Sequence, residues 1–437
     1  MHSFFRIVFA LAAGVIVGLL SVSSFVDAKN LAKQLIDQTV VISGTVANDP
    51  KIQEKEVVFV IDHVSYNYST EEQKSQVYVK MPSASIDFEK FDTVTLSGKA
   101  QAGFGSYDLY FWHPRLISIS RSDSPDLSLR IRRWLSNNLT EQIHDSDQSA
   151  LALGFLLGEK VSMSDELNQR LRIAGLAHIV VASGYALSVI VGLAKKYLKT
   201  VSRFAVFAGS LITVVAFIYI AGFSPSLLRA GLAVLLSLLF WYYGRRLHPV
   251  RLLAYVASLS VILSPEKFFS VGWQLSFASY AGILLILPVL SRYYYQHRAP
   301  GYFATMVLVS ISAQLSCLPL SLYYFGSFAV LGILSNILVT PFIPIVMMLS
   351  FALSLRLSLF LLIFILEKIL WLQLFVVDWI SDIPWSIFQL ESGKVIYLAI
   401  YLPILLLILL VKWHTKYDYR PRYTLDKSQE YGKIFLC

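Results

Sequence analysis

A chain of 437 residues that is 56% hydrophobic and only 15% charged is too apolar for an ordinary soluble domain, so a membrane-embedded body is expected. Its net charge of +9 fits either a nucleic-acid partner or the Lys and Arg that collect in the cytoplasmic loops of membrane proteins. Two cysteines, Cys317 in an apolar run and Cys437 at the end, offer neither a disulfide framework nor a thiolate metal site, and no cofactor is implied.

From the N-terminus, Phe4 to Val26 is long enough to cross a bilayer at about 20 residues per span, with Arg6 its only charge. A cleaved signal peptide ending near Val26-Asp-Ala28 is the competing reading. The length of the run and the poor site before Lys29 favour an uncleaved anchor over residues 1–28.

Residues 29–123 change character. Gln38-Thr-Val-Val-Ile-Ser-Gly44, Val57-Val-Phe-Val-Ile-Asp62, Gln76-Val-Tyr-Val-Lys80, Asp92-Thr-Val-Thr-Leu-Ser-Gly98 and Leu116-Ile-Ser-Ile-Ser120 alternate apolar with polar residues and are rich in β-branched side chains. Such half-buried strands predict a small closed OB-like barrel. An OB barrel points to nucleic acid, yet residues 27–123 carry ten Lys and Arg against thirteen Asp and Glu. A strong electrostatic hold on phosphate is therefore not expected unless the positives cluster. The run Tyr107-Asp-Leu-Tyr-Phe-Trp-His113 offers rings for base stacking, although barrel core and packing onto the membrane domain are the plainer uses.

Residues 124–174 read as amphipathic or interfacial helices. In Asp126-Leu-Ser-Leu-Arg-Ile-Arg-Arg-Trp-Leu135 and on to Leu139, apolar residues recur at helical spacing, with Arg130, Arg132 and Arg133 on the other face. This basic helix serves either to grip lipid headgroups, with Trp134 as an aromatic anchor, or to guide a polyanion. Ala150 to Glu159 is too short to span, and Ser164 is a plausible N-cap for the helix that follows.

Residues 175–412 form a multi-span membrane domain, followed by a basic tail over 413–437. After the run from Gly175 to Val191, apolar spans are expected near 204–222, 225–243, 250–264, 271–290, 303–325, 328–354, 357–377 and 395–411. Basic loops at Lys195, Arg245 and Arg292 alternate with uncharged or balanced turns, which obeys the positive-inside rule. That parity puts those loops, Arg356 and the C-terminus in the cytoplasm, and residues 30–170 with Gly175 outside. Several polar side chains lie inside the spans: His178, Ser183, Arg229, Gln274, Ser276, Gln314 and Asn336. Hydrocarbon cannot hydrogen-bond them, so each must find a protein partner or line a wet cavity.

Leu157-Gly-Glu159, Gly175-Leu-Ala-His-Ile-Val-Val-Ala-Ser-Gly184, Pro225-Ser-Leu-Leu-Arg-Ala230, Gln274-Leu-Ser-Phe277, and Gln314 to Gly326 followed by Asn336 resemble, in order and spacing, the successive motifs of the ComEC-type competence family. The resemblance covers roughly residues 150–345, and the strand-rich segment sits where that family carries an OB-like domain. It implies a channel in the bacterial cytoplasmic membrane through which one DNA strand enters during natural transformation. Two departures limit the transfer. The family usually reads Ser-Gly-Leu-His where this chain has Ser183-Gly-Tyr-Ala186, so a histidine pair is in doubt. Many members also carry a metallo-β-lactamase-like domain, yet none of the eight histidines here falls in a His-x-His-x-Asp-His cluster. A non-enzymatic chain is expected, with a separate nuclease removing the complementary strand.

On this reading Arg229 supplies fixed charge to the DNA path. His178, Ser183, Gln274, Ser276, Gln314 and Asn336 supply neutral hydrogen bonds that hold phosphate weakly, and Arg130, Arg132 and Arg133 collect DNA at the outer mouth. The expected partners are single-stranded DNA, membrane lipid and a second copy of the chain. No G-x-x-x-x-G-K-[ST] loop is present, so direction would come from a cytoplasmic ATPase or a single-strand-binding protein. The rival is a secondary transporter for a small anionic or lipid-linked solute, with a midplane site. An intramembrane hydrolase using Ser183 and His178 is disfavoured, because the two lie about 140° apart on a helix and no acid orients the histidine.

Overall fold

The computed structural model describes residues 34–47, 50–53, 56–66, 77–82, 88, 92–103, 109–120, 127–158, 163–180, 187, 191–192, 202–221, 225–245, 247–263, 268, 270–295, 300–357, 359–391 and 393–415. The anchor expected over 1–28 and the tail after 415 lie outside them. Two compact units are present: one holds the strands through Arg130 together with 261–271, the other holds Ile131–Ser260 and Gly272 onward.

The first unit contains β1 (Thr39–Val46), β2 (Lys51–Gln53), β3 (Glu56–Tyr66), β4 (Val77–Pro82), β5 (Thr93–Ala102), β6 (Leu109–Trp112) and β7 (Arg115–Ser120). The ring runs β1-β3-β4-β6-β5 and back to β1, with β2 attached to β3 and β7 to β5. All pairings are antiparallel except β4 with β6, where Val77 to Lys80 lie parallel to Leu109 to Trp112. β1 reaches both neighbours because its register with β3 shifts between Ser43 and Thr45, the kind of irregularity that bends a strand. Alternation does the rest: Val40, Ile42, Phe59, Ile61, Val77, Val79, Leu96, Leu109 and Phe111 point inward and are fully or almost fully buried.

The OB-like barrel expected from sequence is present, with one stave exchanged. Leu116 to Ser120 lies in β7, which among the described residues pairs only with β5. The fifth stave is the aromatic run, whose Leu109 and Phe111 face the core while Tyr110 and Trp112 face outward. Gly98 is needed where the next turn crosses it, since a Cβ there would sit 3.0 Å from Pro114 Cβ and 3.2 Å from the Phe111 ring. Outside the ring, Glu56 accepts from Lys80 and from His113, the latter at 2.7 Å. Lys80 also lies 4.6 Å from the Trp112 ring centroid, and Tyr78 and Tyr110 approach to 5.6 Å.

The second unit is helical: α1 (Leu127–Thr140), α2 (Ser146–Leu157), α3 (Asp165–Ile173), α4 (Arg203–Ala221), α5 (Pro225–Tyr242), α6 (Pro249–Leu263), α7 (Val271–Tyr295), α8 (Tyr302–Phe325), α9 (Gly332–Val339), α10 (Ile343–Ser354), α11 (Phe360–Ser381) and α12 (Tyr401–Thr415). The first residues of α1 and the last of α6 belong to the strand-bearing unit. Between α8 and α9, β8 (Ser327–Ala329) pairs with β9 (Ile387–Gln389). Among the described residues five stretches are long and apolar enough to cross a membrane: α4, α7, α8, α9 continuing into α10, and α11. The expected spans at 225–243, 250–264 and 395–411 correspond to the shorter apolar helices α5, α6 and α12. Thr340-Pro-Phe342 forms a single 3-10 turn inside the α9–α10 run, because Pro341 has no N–H to give an α-helix.

α2 is bounded as its sequence dictates. Asp145 accepts from the Gln148 N–H, and Gly158 ends the helix at φ 69°, a conformation that favours glycine. Its length of about 18 Å is too short to span. Ser149 through Leu157 are all buried, in a core shared with α3, α9, α10 and α11. The expected Ser164 cap is present, its Oγ accepting from Leu167 N–H. From α3, Arg170 reaches Glu166 and, at 2.8 Å, Asp378 of α11.

α1 buries Leu135 and Leu139 and exposes Arg130 and Arg133, with Arg132 half-buried. Its end grips the end of α10: Asn138 Nδ2 donates to Ser354 O at 2.9 Å, Gln142 Nε2 to Leu353 O at 2.9 Å, and Arg356 Nε to Asn138 Oδ1 at 3.0 Å. These amides satisfy carbonyls that a helix terminus leaves open. The contact corrects the side assignment, which put Arg356 in the cytoplasm and this helix outside. Groups in hydrogen-bond contact share one side.

Phe111→Ala is expected to destabilise the barrel by about 3–5 kcal/mol and Tyr110→Ala by much less, measured by hydrogen exchange of β4 and β5; equal costs would remove β6 from the ring. The Glu56 carboxyl is held below its ordinary 4.5, first by the hydrogen bond from Lys80 and then by that from His113. A lowered folded pKa stabilises above the unfolded value and is lost as pH falls through the folded one. Acidification below 4.5 should therefore raise exchange in β3 and β4 more in the wild type than in Glu56→Gln.

Candidate functional site

The polar residues inside the apolar helices meet in three places. The first is at α5, which opens with Pro225, a residue suited to the first helical turn. One turn later Arg229 is half-buried, and its Nε donates to Ser276 Oγ of α7 at 2.5 Å. The guanidinium carbon lies 5.5 Å from the Tyr280 ring centroid. Ser276 and Tyr280 are one turn apart and share a face. Among the described residues Arg229 has no carboxylate partner.

The second place is the opposite side of α7. Gln274, Ala278 and Gly282, each one turn from the next, face α8: Gln274 Oε1 accepts from Tyr324 Oη at 2.7 Å and Ala278 O from Ser316 Oγ at 2.7 Å. Cys317 Sγ donates to Leu275 O at 3.5 Å. Gly282 lets the backbones touch, since a Cβ there would meet Ser312 O at 2.5 Å. Gln274 and Ser276 are about 160° apart around the helix. α7 is thus a partition with polar groups on both faces.

The third place gathers α8, α9 and the turn after α3. Gly175, at φ +74°, lies so close to α9 that a Cβ would come 2.9 Å from Gly332 Cα; a Cβ on Gly332 would come 2.8 Å from Gln314 Nε2. One turn further along α9, Asn336 Oδ1 is buried without a hydrogen-bond partner among the described residues. His178, exposed on the same turn as Gly175, hydrogen-bonds to the Gly175 backbone. Ser183, with Tyr185 and Ala186, lies outside the described residues.

Among the described residues, then, His178, Gln314 and Asn336 are brought to one region, Arg229 and Ser276 to a second, and Gln274 to a third. Among the described residues a wide polar lumen shared by them is not seen. A void of about 10 Å³, walled by Leu151, Phe155, Leu171, Leu176, Ile179, Val180, Val339, Gln373 and Val377, has room for about one water. The physical reason is the one that makes these residues notable. In a closed bundle each polar group takes the nearest protein partner, because lipid offers none. Tyr280 and Tyr324 are functional candidates that span-by-span reading misses. Helical spacing from Ser276 picks out Tyr280; nothing local ties Tyr324 to Gln274. Among the described residues no group of three or more His, Cys, Asp or Glu side chains is placed to hold a metal.

Comparison with known proteins follows this geometry. A family model described as "Competence protein" matches residues 155–415, which takes in all three contact regions. "ComE operon protein 3" of Bacillus subtilis (strain 168) is 24% identical over 241 residues, covering 53% of this chain and 30% of that protein. The chain thus aligns with less than a third of its relative's length, and no solved structure matches. With well over half of its residues inside one family model, several helices able to cross a membrane and an OB-like barrel, the chain is a multi-pass membrane protein that belongs to the competence protein family.

Proposed function

We propose that this chain forms the conducting body of a DNA-uptake channel in the cytoplasmic membrane, passing a single strand inward during natural transformation. The observation that carries the reading is Arg229, a cation within an apolar helix that has Ser276 and an aromatic face for company and no carboxylate among the described residues. Such a charge is costly in hydrocarbon unless a counter-charge visits it. A phosphate supplies one. With Nε tied to Ser276, the two terminal nitrogens remain as a fork suited to phosphate oxygens.

Around that fixed charge, Ser276, Gln274, Gln314, Asn336, His178 and Ser183 would offer neutral hydrogen bonds, which hold each phosphate briefly and let it go. The three separate contacts correspond to a closed channel. α7 is the element whose displacement would join them, since Ser276 and Gln274 occupy its two faces. No bond-breaking step is assigned to this chain. The proposal includes a barrel outside the membrane, a separate nuclease for the complementary strand, and a cytoplasmic ATPase or single-strand-binding protein for direction. Arg130 and Arg133, exposed on α1, together with Arg132 would collect DNA at the outer mouth.

In a deletion strain complemented with variants, nuclease-protected fluorescent DNA reports import. Arg229→Ala and Arg229→Glu should reduce protected label to background while the protein stays in the membrane. Arg229→Lys keeps charge but loses the fork and should fall between. Wild-type import by Arg229→Ala would remove this residue from the path.

A further inference from the structure

β4 and β6 each turn alternate side chains away from the barrel core. Their parallel register sets Tyr78 beside Tyr110 and Lys80 beside Trp112, and Gln101 of β5, exposed, pairs with Tyr110. The Tyr78 and Tyr110 rings are 5.6 Å apart, and Tyr110 meets the Trp112 indole at 73° with 6.1 Å between centroids. His113 stacks on the indole at 5.1 Å, and the Lys80 ammonium lies 4.6 Å from its centroid. One carboxylate, that of Glu56, holds both Lys80 and His113. The two therefore share one side of the indole and leave the other bare: Trp112 is 48% exposed. The core is filled from this strand by Leu109 and Phe111. A large ring held in the open among hydrogen-bonding groups has the make-up of a ligand face.

We infer that this face binds an uncharged pyranose chain. A pyranose offers a flat surface of C–H groups that rests against the negative face of an aromatic ring, and a rim of hydroxyls that need acceptors as well as donors. Glu56 keeps lone pairs to accept with, since a carboxylate has about four such sites and Lys80 and His113 take two. Lys80 donates, and the Gln101 amide does either. A nucleotide strand asks for something different, cations whose charge is open to phosphate. Here Lys80 is paired with Glu56, and Lys99, two residues from Gln101, with Asp37 at 2.9 Å. Residues 27–123 also carry more Asp and Glu than Lys and Arg. OB barrels serve oligosaccharides as well as oligonucleotides, and the placement of charge on this one favours the former. Such binding stands or falls without the DNA path through the helices.

The test uses the full chain in micelles of a detergent without a sugar headgroup, and titration calorimetry with linear hexamers of glucose and of N-acetylglucosamine beside a short oligothymidylate. At least one hexamer should bind with an affinity that is the same at low and high salt. Trp112→Ala should weaken it about tenfold or more, and Glu56→Gln about threefold. Trp112→Phe should keep most of the affinity, which separates loss of the ring from loss of the fold. Arg229→Ala should bind as the wild type does, so failure of the channel reading leaves this result untouched. Binding of neither hexamer, an affinity that Trp112→Ala leaves unchanged, or salt-dependent binding of the oligothymidylate in place of the hexamers would overturn the proposal.

Discussion

Hydrocarbon neither donates nor accepts a hydrogen bond, and most of this molecule is arranged around that fact. Arg229 is steadied by Ser276, Gln274 by Tyr324, and the freed carbonyls at the end of α10 by Asn138 and Gln142. Glycines at 175, 282 and 332 let their segments approach neighbours where a Cβ would collide. The polar inventory of a conducting protein and the requirements of a closed bundle are thus met by the same residues. What distinguishes Arg229 is that, among the described residues, its hydrogen bond to Ser276 leaves its charge without a carboxylate.

Much of the barrel was legible because the period-two pattern survives wherever one face of a strand is buried. Val40, Ile42 and Val46 of β1 and Val77 and Val79 of β4 mark such faces. It failed at β6, where Tyr110 and Trp112 are as bulky as the Leu109 and Phe111 they alternate with, so the strand lacks a plainly polar face. β7 is the strand its alternation indicates, but among the described residues it pairs with β5 alone. Strand order is a tertiary property, and no local pattern announces that β4 runs parallel to β6.

Hydropathy located the apolar runs but not what each does. α2 and α5 have similar compositions, yet α2 is buried on every side while α5 leaves Leu239 and Trp241 exposed; the difference lies in which neighbours arrive. Likewise the polar residues were visible as exceptions within apolar text, but their pairings join positions 47 and 50 residues apart. Charge counting along the loops could not reveal that Arg356 folds back onto α1, where Asn138 and Glu141 both meet its guanidinium.

The parallel contact between β4 and β6 also orders events during synthesis. β5 lies between those two strands in the chain, and the gap it leaves beside β4 is filled only by Leu109 to Trp112. A nascent chain halted before that tetrapeptide would carry two strands with bare edges, ready to pair with a stranger. Once it has emerged, the ring can shut in one step, well before the apolar helices have left the ribosome.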